Sequence, residues 1–289
     1  MQQNDVLAKQ SLEGQELAQV QALAEEVLRV DGAALKLDWE AVAEGTPDMN
    51  SSFCCCDGDA LAGYAFLEGF GGELEWTAAV CPKFRRQGIF RSLLGAARAE
   101  AQRVCATKML AIGYRNSEGG QAAVQALKLP YVFSEYRMET ALAEMPVLDA
   151  GQVQLQRVDV AEVEVLVRMT AQIFGKQEPL EKFLVRLAEP ASRYFFAGAE
   201  GTRVGQIGVV DKGDGIYIRG VGILPEHRRR GLGRQLLAAV LTLLRAEGQT
   251  RFALDVATEN PSALSIYKAC GFRETTVYDY HDVSLTKKT

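Results

Sequence analysis

Pro82-Lys83-Phe84-Arg85-Arg86-Gln87-Gly88 and Pro225-Glu226-His227-Arg228-Arg229-Arg230-Gly231 are two versions of one segment, 143 residues apart (225 − 82), in a chain of 289 residues. A repeat at about half the chain length means duplicated domains rather than a solenoid, whose periods are much shorter. Each copy follows a short apolar run, Ala78-Ala79-Val80 or Val221-Gly222-Ile223. Each opens a helical pattern, with Leu93, Leu94 and Ala97 in one half and Leu236, Leu237, Val240, Leu241 and Leu244 in the other. The stretch from Ala143 to Gly151 has a proline and a glycine and no clear period. It places the expected boundary between a domain at 1–145 and one at 151–289.

In the second half, strands are expected at Val153–Val158, Arg193–Gly198, Arg203–Val210, Ile216–Leu224, Phe252–Ala257 and Thr275–Val283. Helices are expected at Ala161–Phe174, Pro179–Ala188, Gly231–Glu247 and Pro261–Cys270. The first half repeats the order: a helix over Leu12–Val30, strands around Phe53, Ala65 and Val80, a helix after Gly88, a strand near Ile112, a helix to about Leu127, and a strand from Tyr131 to Met138. Strands mixed with helices in this way imply an α/β layered fold, each half a sheet flanked by helices.

Composition narrows the function. A formal net charge of −5 gives no bulk attraction to nucleic acid. No apolar run is long enough to span a bilayer, and the polar start Met1-Gln2-Gln3-Asn4-Asp5 lacks a signal pattern. Cytoplasmic residence is the expectation. The only histidines are His227 and His281, and no two of the six cysteines form a C-x-x-C pair, so no metal site is expected. Cys54-Cys55-Cys56 falls on a strand, where successive side chains alternate faces, and reads as buried small residues.

Arg228-Arg229-Arg230-Gly231-Leu232-Gly233-Arg234 joins a strand to a helix. A helix N-terminus exposes unpaired N–H groups and the positive end of its dipole. Glycine lets the backbone approach an anion, and arginine adds charge-assisted hydrogen bonds. The segment suits a pyrophosphate, but it is neither a Walker loop nor a dinucleotide fingerprint. The plainer reading is a helix start with a solvated basic face.

The loop resembles the Q/R-x-x-G-x-G/A motif of the GNAT N-acetyltransferase superfamily, and Val221-Gly222-Ile223 resembles that family's fourth strand. Asn260-Pro261-Ser262-Ala263-Leu264-Ser265-Ile266-Tyr267-Lys268-Ala269-Cys270-Gly271-Phe272 resembles its second signature, N-x-x-A-x-x-x-Y-x-x-x-G-F. The likeness covers roughly Val153 to Val283. It implies a GNAT fold, acetyl-CoA as acyl donor, and backbone pairing of Val221 to Ile223 with the pantetheine arm. It implies cofactor contacts from Asn260, and Tyr267 as the acid that protonates the departing thiolate. Asn260 followed by proline also reads as a helix cap, and Tyr267 as a core tyrosine. Asp255 interrupts an apolar strand five residues before Asn260. It reads either as a base for the incoming amine or as a structural hydrogen-bonding aspartate.

The first half departs from the pattern. Phe90 stands where the family prefers glycine or alanine, and Asn116 looks like the second-signature asparagine, with Ala123 seven residues on. The expected activity is N-acetylation of a primary amine on a small molecule or peptide, without nucleic acid or membrane, in the second half. The competing expectation is a non-catalytic acyl-CoA-binding or regulatory module.

Overall fold

The computed structural model describes residues 5–70, 72–175 and 179–285, so Met1–Asn4 of the polar start lie outside the described residues. The chain divides into two compact units, one of residues 1–134 with 276–289 and the other of residues 135–275.

The first unit holds β1 (Val6–Lys9), α1 (Gly14–Asp31), α2 (Trp39–Glu44), β2 (Ser52–Asp57), β3 (Ala60–Phe70), β4 (Glu73–Val80), α3 (Ile89–Arg103), β5 (Lys108–Tyr114) and α4 (Glu118–Leu127). Strands β1 to β4 pair antiparallel in sequence order, and β4 pairs parallel with β5. The strand antiparallel to β5 is β12 (Arg273–Asp282), which pairs Tyr278 to Asp282 with Tyr114 to Leu110. Alternation along the strands makes two cores. Cys54, Tyr64, Phe66, Leu110 and Ile112 face α1 and α2, whereas Phe53, Cys55, Ala65, Leu67 and Ala111 face α3.

The second unit repeats this plan with β7 (Gln154–Arg157), α5 (Val163–Phe174), α6 (Leu180–Ala188), β8 (Ser192–Ala199), β9 (Thr202–Asp211), β10 (Ile216–Ile223), α7 (Leu232–Ala246), β11 (Arg251–Ala257) and α8 (Pro261–Ala269). Strands β7 to β10 are antiparallel, and β10 is parallel to β11. The strand antiparallel to β11 is β6 (Tyr131–Ala141), through Glu135 to Ala141. One core lies under α7 and α8, the other under α5 and α6.

Each sheet is thus completed by a strand from the other half of the sequence. The expected single cut at 145–151 therefore differs from this division: the linker belongs to the second unit and the last strand mostly to the first. A hydrogen-bonded cluster around buried Asp279 holds β12 in its place, where Asp279 accepts from half-exposed Arg115 Nε at 3.1 Å and from buried Ser134 Oγ at 2.6 Å. Helix α2 and strand β1 are additions to the sequence expectation. Cys54 and Cys55 are buried on opposite faces as expected, but Cys56, at the end of β2 beyond a register shift, is exposed. All six cysteines are free, and among the described residues no three groups could share a metal ion. Among the described residues, no helix is long and apolar enough to cross a membrane.

Candidate active site

The two loops share one backbone. Arg86 and Arg229 have φ of 65° and 61°, and Gly88 and Gly231 have φ of 86° and 74°. These left-handed values suit glycine and strain arginine. Each glycine is the N-cap of a 15-residue helix, α3 or α7, and neither helix has a side-chain cap. The first N–H groups are left for another acceptor.

The arginines of the second loop separate into two kinds. Arg228 is a tether, donating from Nε to Ile223 O (3.0 Å) and from Nη2 to Ile173 O (2.8 Å). Arg230 pairs with Glu200 at 3.0 Å. Arg229 and Arg234 have no partner among the described residues and stay available to an anion. In the first unit Arg85 repeats the Arg228 tether through Val80 O (3.2 Å) and adds an ion pair with Asp31.

The two glycines of the second loop act differently. A Cβ on Gly231 would meet nothing within 4 Å, so that position needs glycine for its φ. A Cβ on Gly233 would lie 3.2 Å from Ile266 Cδ1, so this glycine lets α7 pack against α8 beside Tyr267. Phe90 takes its place in the first unit and turns its ring edge-on to Trp76, 5.0 Å between centroids. A cavity of about 460 Å³ opens there, walled by Ala78, Ala79, Phe90 and Ala123 and rimmed by Arg85 and Arg86.

Strand β10 carries a feature that sequence reading missed. In the first unit Gly63 faces Val80 and, four residues on, Leu67 faces Trp76. In the second, Gly205 faces Ile223, but the register shifts between Arg219 and Gly222. Gly220 and Val221 together oppose Ile207, and Gly220 has φ of 59°. This is a β-bulge, which removes N–H groups from the ladder. β4 has none. The sequence signal was Gly220 itself, a glycine inside a strand pattern. Gly222 lies against α5, where a Cβ would come within 2.3 Å of Ile173 Cγ2.

Asn260 caps α8: its Oδ1 accepts from Ala263 N at 3.1 Å and from Ser262 Oγ at 3.0 Å. Its Nδ2 remains without a partner among the described residues. Tyr267 is buried, edge-on to Phe272 at 6.1 Å, and burial pushes its hydroxyl up to about 12. The expected counterparts in the first unit need correcting. Ser117, not Asn116, caps α4 by accepting from Gly120 N at 3.0 Å. The residue seven beyond it is Val124, which is buried in place of a tyrosine, while Ala123 lines the cavity.

Asp255 lies on the face of the sheet opposite the α7 core, with its side chain 6% exposed. Oδ2 accepts from Tyr217 Oη at 3.0 Å and Oδ1 from Arg137 Nη1 at 3.4 Å. Arg137 is its cross-strand partner on β6 and stands 5.2 Å over the Tyr217 ring. Both oxygens are engaged, which favours the hydrogen-bonding reading of this aspartate over the base. Neither Tyr217 nor Arg137 was foreseen from sequence.

The chain is similar to known proteins in sequence and in fold. The family model described as Acetyltransferase (GNAT) family matches residues 163–272. A mycothiol acetyltransferase of Thermobispora bispora is 31% identical over 288 residues, covering 89% of this chain and 92% of that protein. The structure of a GCN5-related N-acetyltransferase from Sphaerobacter thermophilus matches with a TM-score of 0.82 at 17% identity, over 98% of this chain and 96% of that one. A tandem GNAT protein from the clavulanic acid biosynthesis pathway matches with a TM-score of 0.73 at 16% identity, over 99% of each chain. The chain belongs to the GNAT acetyltransferase family, as a tandem member, and is an acetyltransferase.

Proposed function

We propose that the second unit moves the acetyl group of acetyl-CoA to a primary amine by direct attack, and that the first unit does not catalyse transfer. The carrying observation is the bulge at Gly220–Val221, present in β10 and absent from β4. N–H groups released from a ladder can stabilise the oxyanion that forms as the amine adds to the thioester. The uncapped start of α7, Arg229 and Arg234 suit the pyrophosphate, and Asn260 Nδ2 adds a donor. Tyr267 is protonated in the neutral range, as an acid for the departing thiolate must be, and burial raises its hydroxyl further still.

A covalent route has little support. Cys270 is fully buried, and burial pushes its thiol up, so it is a poor nucleophile. Asp255 then positions Tyr217 and Arg137, and the ammonium of the acceptor gives its proton to solvent before attack. For the first unit alone, the cavity of about 460 Å³ favours a non-catalytic binding role. The acceptor we favour is a small-molecule amine of the kind implied by the mycothiol acetyltransferase relative. The test is an acceptor screen that follows CoA thiol release from acetyl-CoA, with small amines and peptide N-termini as separate arms. Release with a small amine is expected. Release with peptides alone would overturn the acceptor class, and release with neither would overturn the activity.

A further inference from the structure

Lys36 lies between α1 and α2 and is held at every polar atom. Its N–H donates to Tyr114 Oη at 2.6 Å, and its carbonyl accepts from Thr77 Oγ1 at 3.1 Å. Its ammonium pairs with Glu75 at 3.3 Å and donates to Tyr280 Oη. It also stands 5.6 Å and 5.1 Å from the ring centroids of Tyr278 and Tyr280. Aromatic faces with a carboxylate are how proteins recognise alkylammonium ligands.

The place of this box in the fold gives it meaning. It spans β4, β5 and β12, on the face covered by α1 and α2. The same place in the second unit spans β10, β11 and β6. There the register puts Tyr217 at the position of Glu75, and Arg137 faces Asp255 as Tyr280 faces Ile112. Each unit therefore gathers a tyrosine, a carboxylate and a cation at one matching location. In the second unit it lies on the bulged strand, two residues before Arg219.

We propose that the Tyr278–Tyr280–Glu75 box is an alkylammonium-binding site occupied in cis by the chain's own Lys36.

The test uses the full chain with Lys36→Ala and n-propylammonium, which restores the atoms removed. A ligand that binds only the folded state raises its melting temperature. Lys36→Ala should melt roughly 2–4 °C below wild type. Propylammonium chloride should recover more than half of that loss along a saturating curve. Sodium chloride or 1-propanol at equal concentration should not, and wild type should respond to propylammonium only as to sodium chloride. Glu75→Gln added to Lys36→Ala should abolish the recovery. Recovery matched by salt or propanol, recovery that survives Glu75→Gln, or no saturable recovery would each overturn the site. If Lys36→Ala does not fold, Lys36→Met keeps the stem and removes only the nitrogen, so ammonium chloride takes the place of propylammonium, with sodium chloride as its control and the same outcomes. No acetyl transfer is measured, so failure here is separate from failure of the transferase reading.

Discussion

At the residue scale the proposed proton transfer turns on Tyr267 and Asp255. Tyr267→Phe removes a hydroxyl and leaves the ring against Phe272, so acetyl-CoA affinity by calorimetry should hold while kcat falls about 100-fold, toward the low end for a general acid. An unchanged kcat would mean that solvent protonates the thiolate. The same hydroxyl has a signature in stability. Its folded value of about 12 exceeds the unfolded value of about 10, so the folded chain keeps a proton that the unfolded chain loses. That contribution is intact below pH 10 and is lost as pH rises toward 12. Denaturant titrations should show stability declining over this window, less steeply in Tyr267→Phe; Tyr114, also pushed up to about 12 by burial, keeps part of the slope. Asp255→Asn should lower activity by the same factor from neutral to alkaline pH, as expected of a residue that orients Tyr217 and Arg137. A deficit that shrinks as the amine loses its proton would instead make Asp255 the base. The motif residues were readable because their spacing is local, but the partners of Asp255 were not, since strand register brings Arg137 118 positions across the sequence.

At the scale of elements, the bulge and the exchanged strands matter most. Deleting Gly220 would make β10 pair like β4 without disturbing the pairs on either side. The variant should fold, with circular dichroism near wild type, and lose about 100- to 1,000-fold in kcat, the range seen when an oxyanion donor is removed. Retained turnover would show that the bulge is not where the charge develops. The exchanged strand makes a different prediction. Burial pushes the Asp279 carboxyl up, but hydrogen bonds from Arg115 and Ser134 and the Arg115 charge outweigh it and hold it below the usual range. Asp279→Asn should therefore destabilise the chain by roughly 1–3 kcal/mol at neutral pH, with the difference fading as acid protonates the wild-type carboxylate. Measured unfolding free energies at neutral and acid pH check this. Apart from β1 and α2, the elements were legible from periodicity and glycine stops. The exchange was not, because β6 and β12 are both amphipathic strands following a helix, and either satisfies the open edge of β5 or β11.

At the scale of the whole molecule, two units with one backbone plan differ in a few positions on which the proposed chemistry rests: the bulge against a regular strand, Tyr267 against Val124, Gly233 against Phe90. The repeat was visible from a single heptapeptide pair because the loop needs arginine and glycine at fixed places in both copies. The degeneration of the first copy was half visible. Phe90 stood out, but the second-signature position was read at Asn116, one residue before the actual cap, since Ser117 caps as well as asparagine does. The central claim is that one unit carries the transfer, and the paired variants Gly88→Glu and Gly231→Glu test it most directly. Both glycines are left-handed N-caps, so both substitutions meet similar backbone strain and both place a carboxylate at an uncapped helix start. With folding checked by melting curves, steady-state acetyl transfer should collapse in Gly231→Glu and stay within a few-fold of wild type in Gly88→Glu. Equal losses in two folded variants would contradict the account.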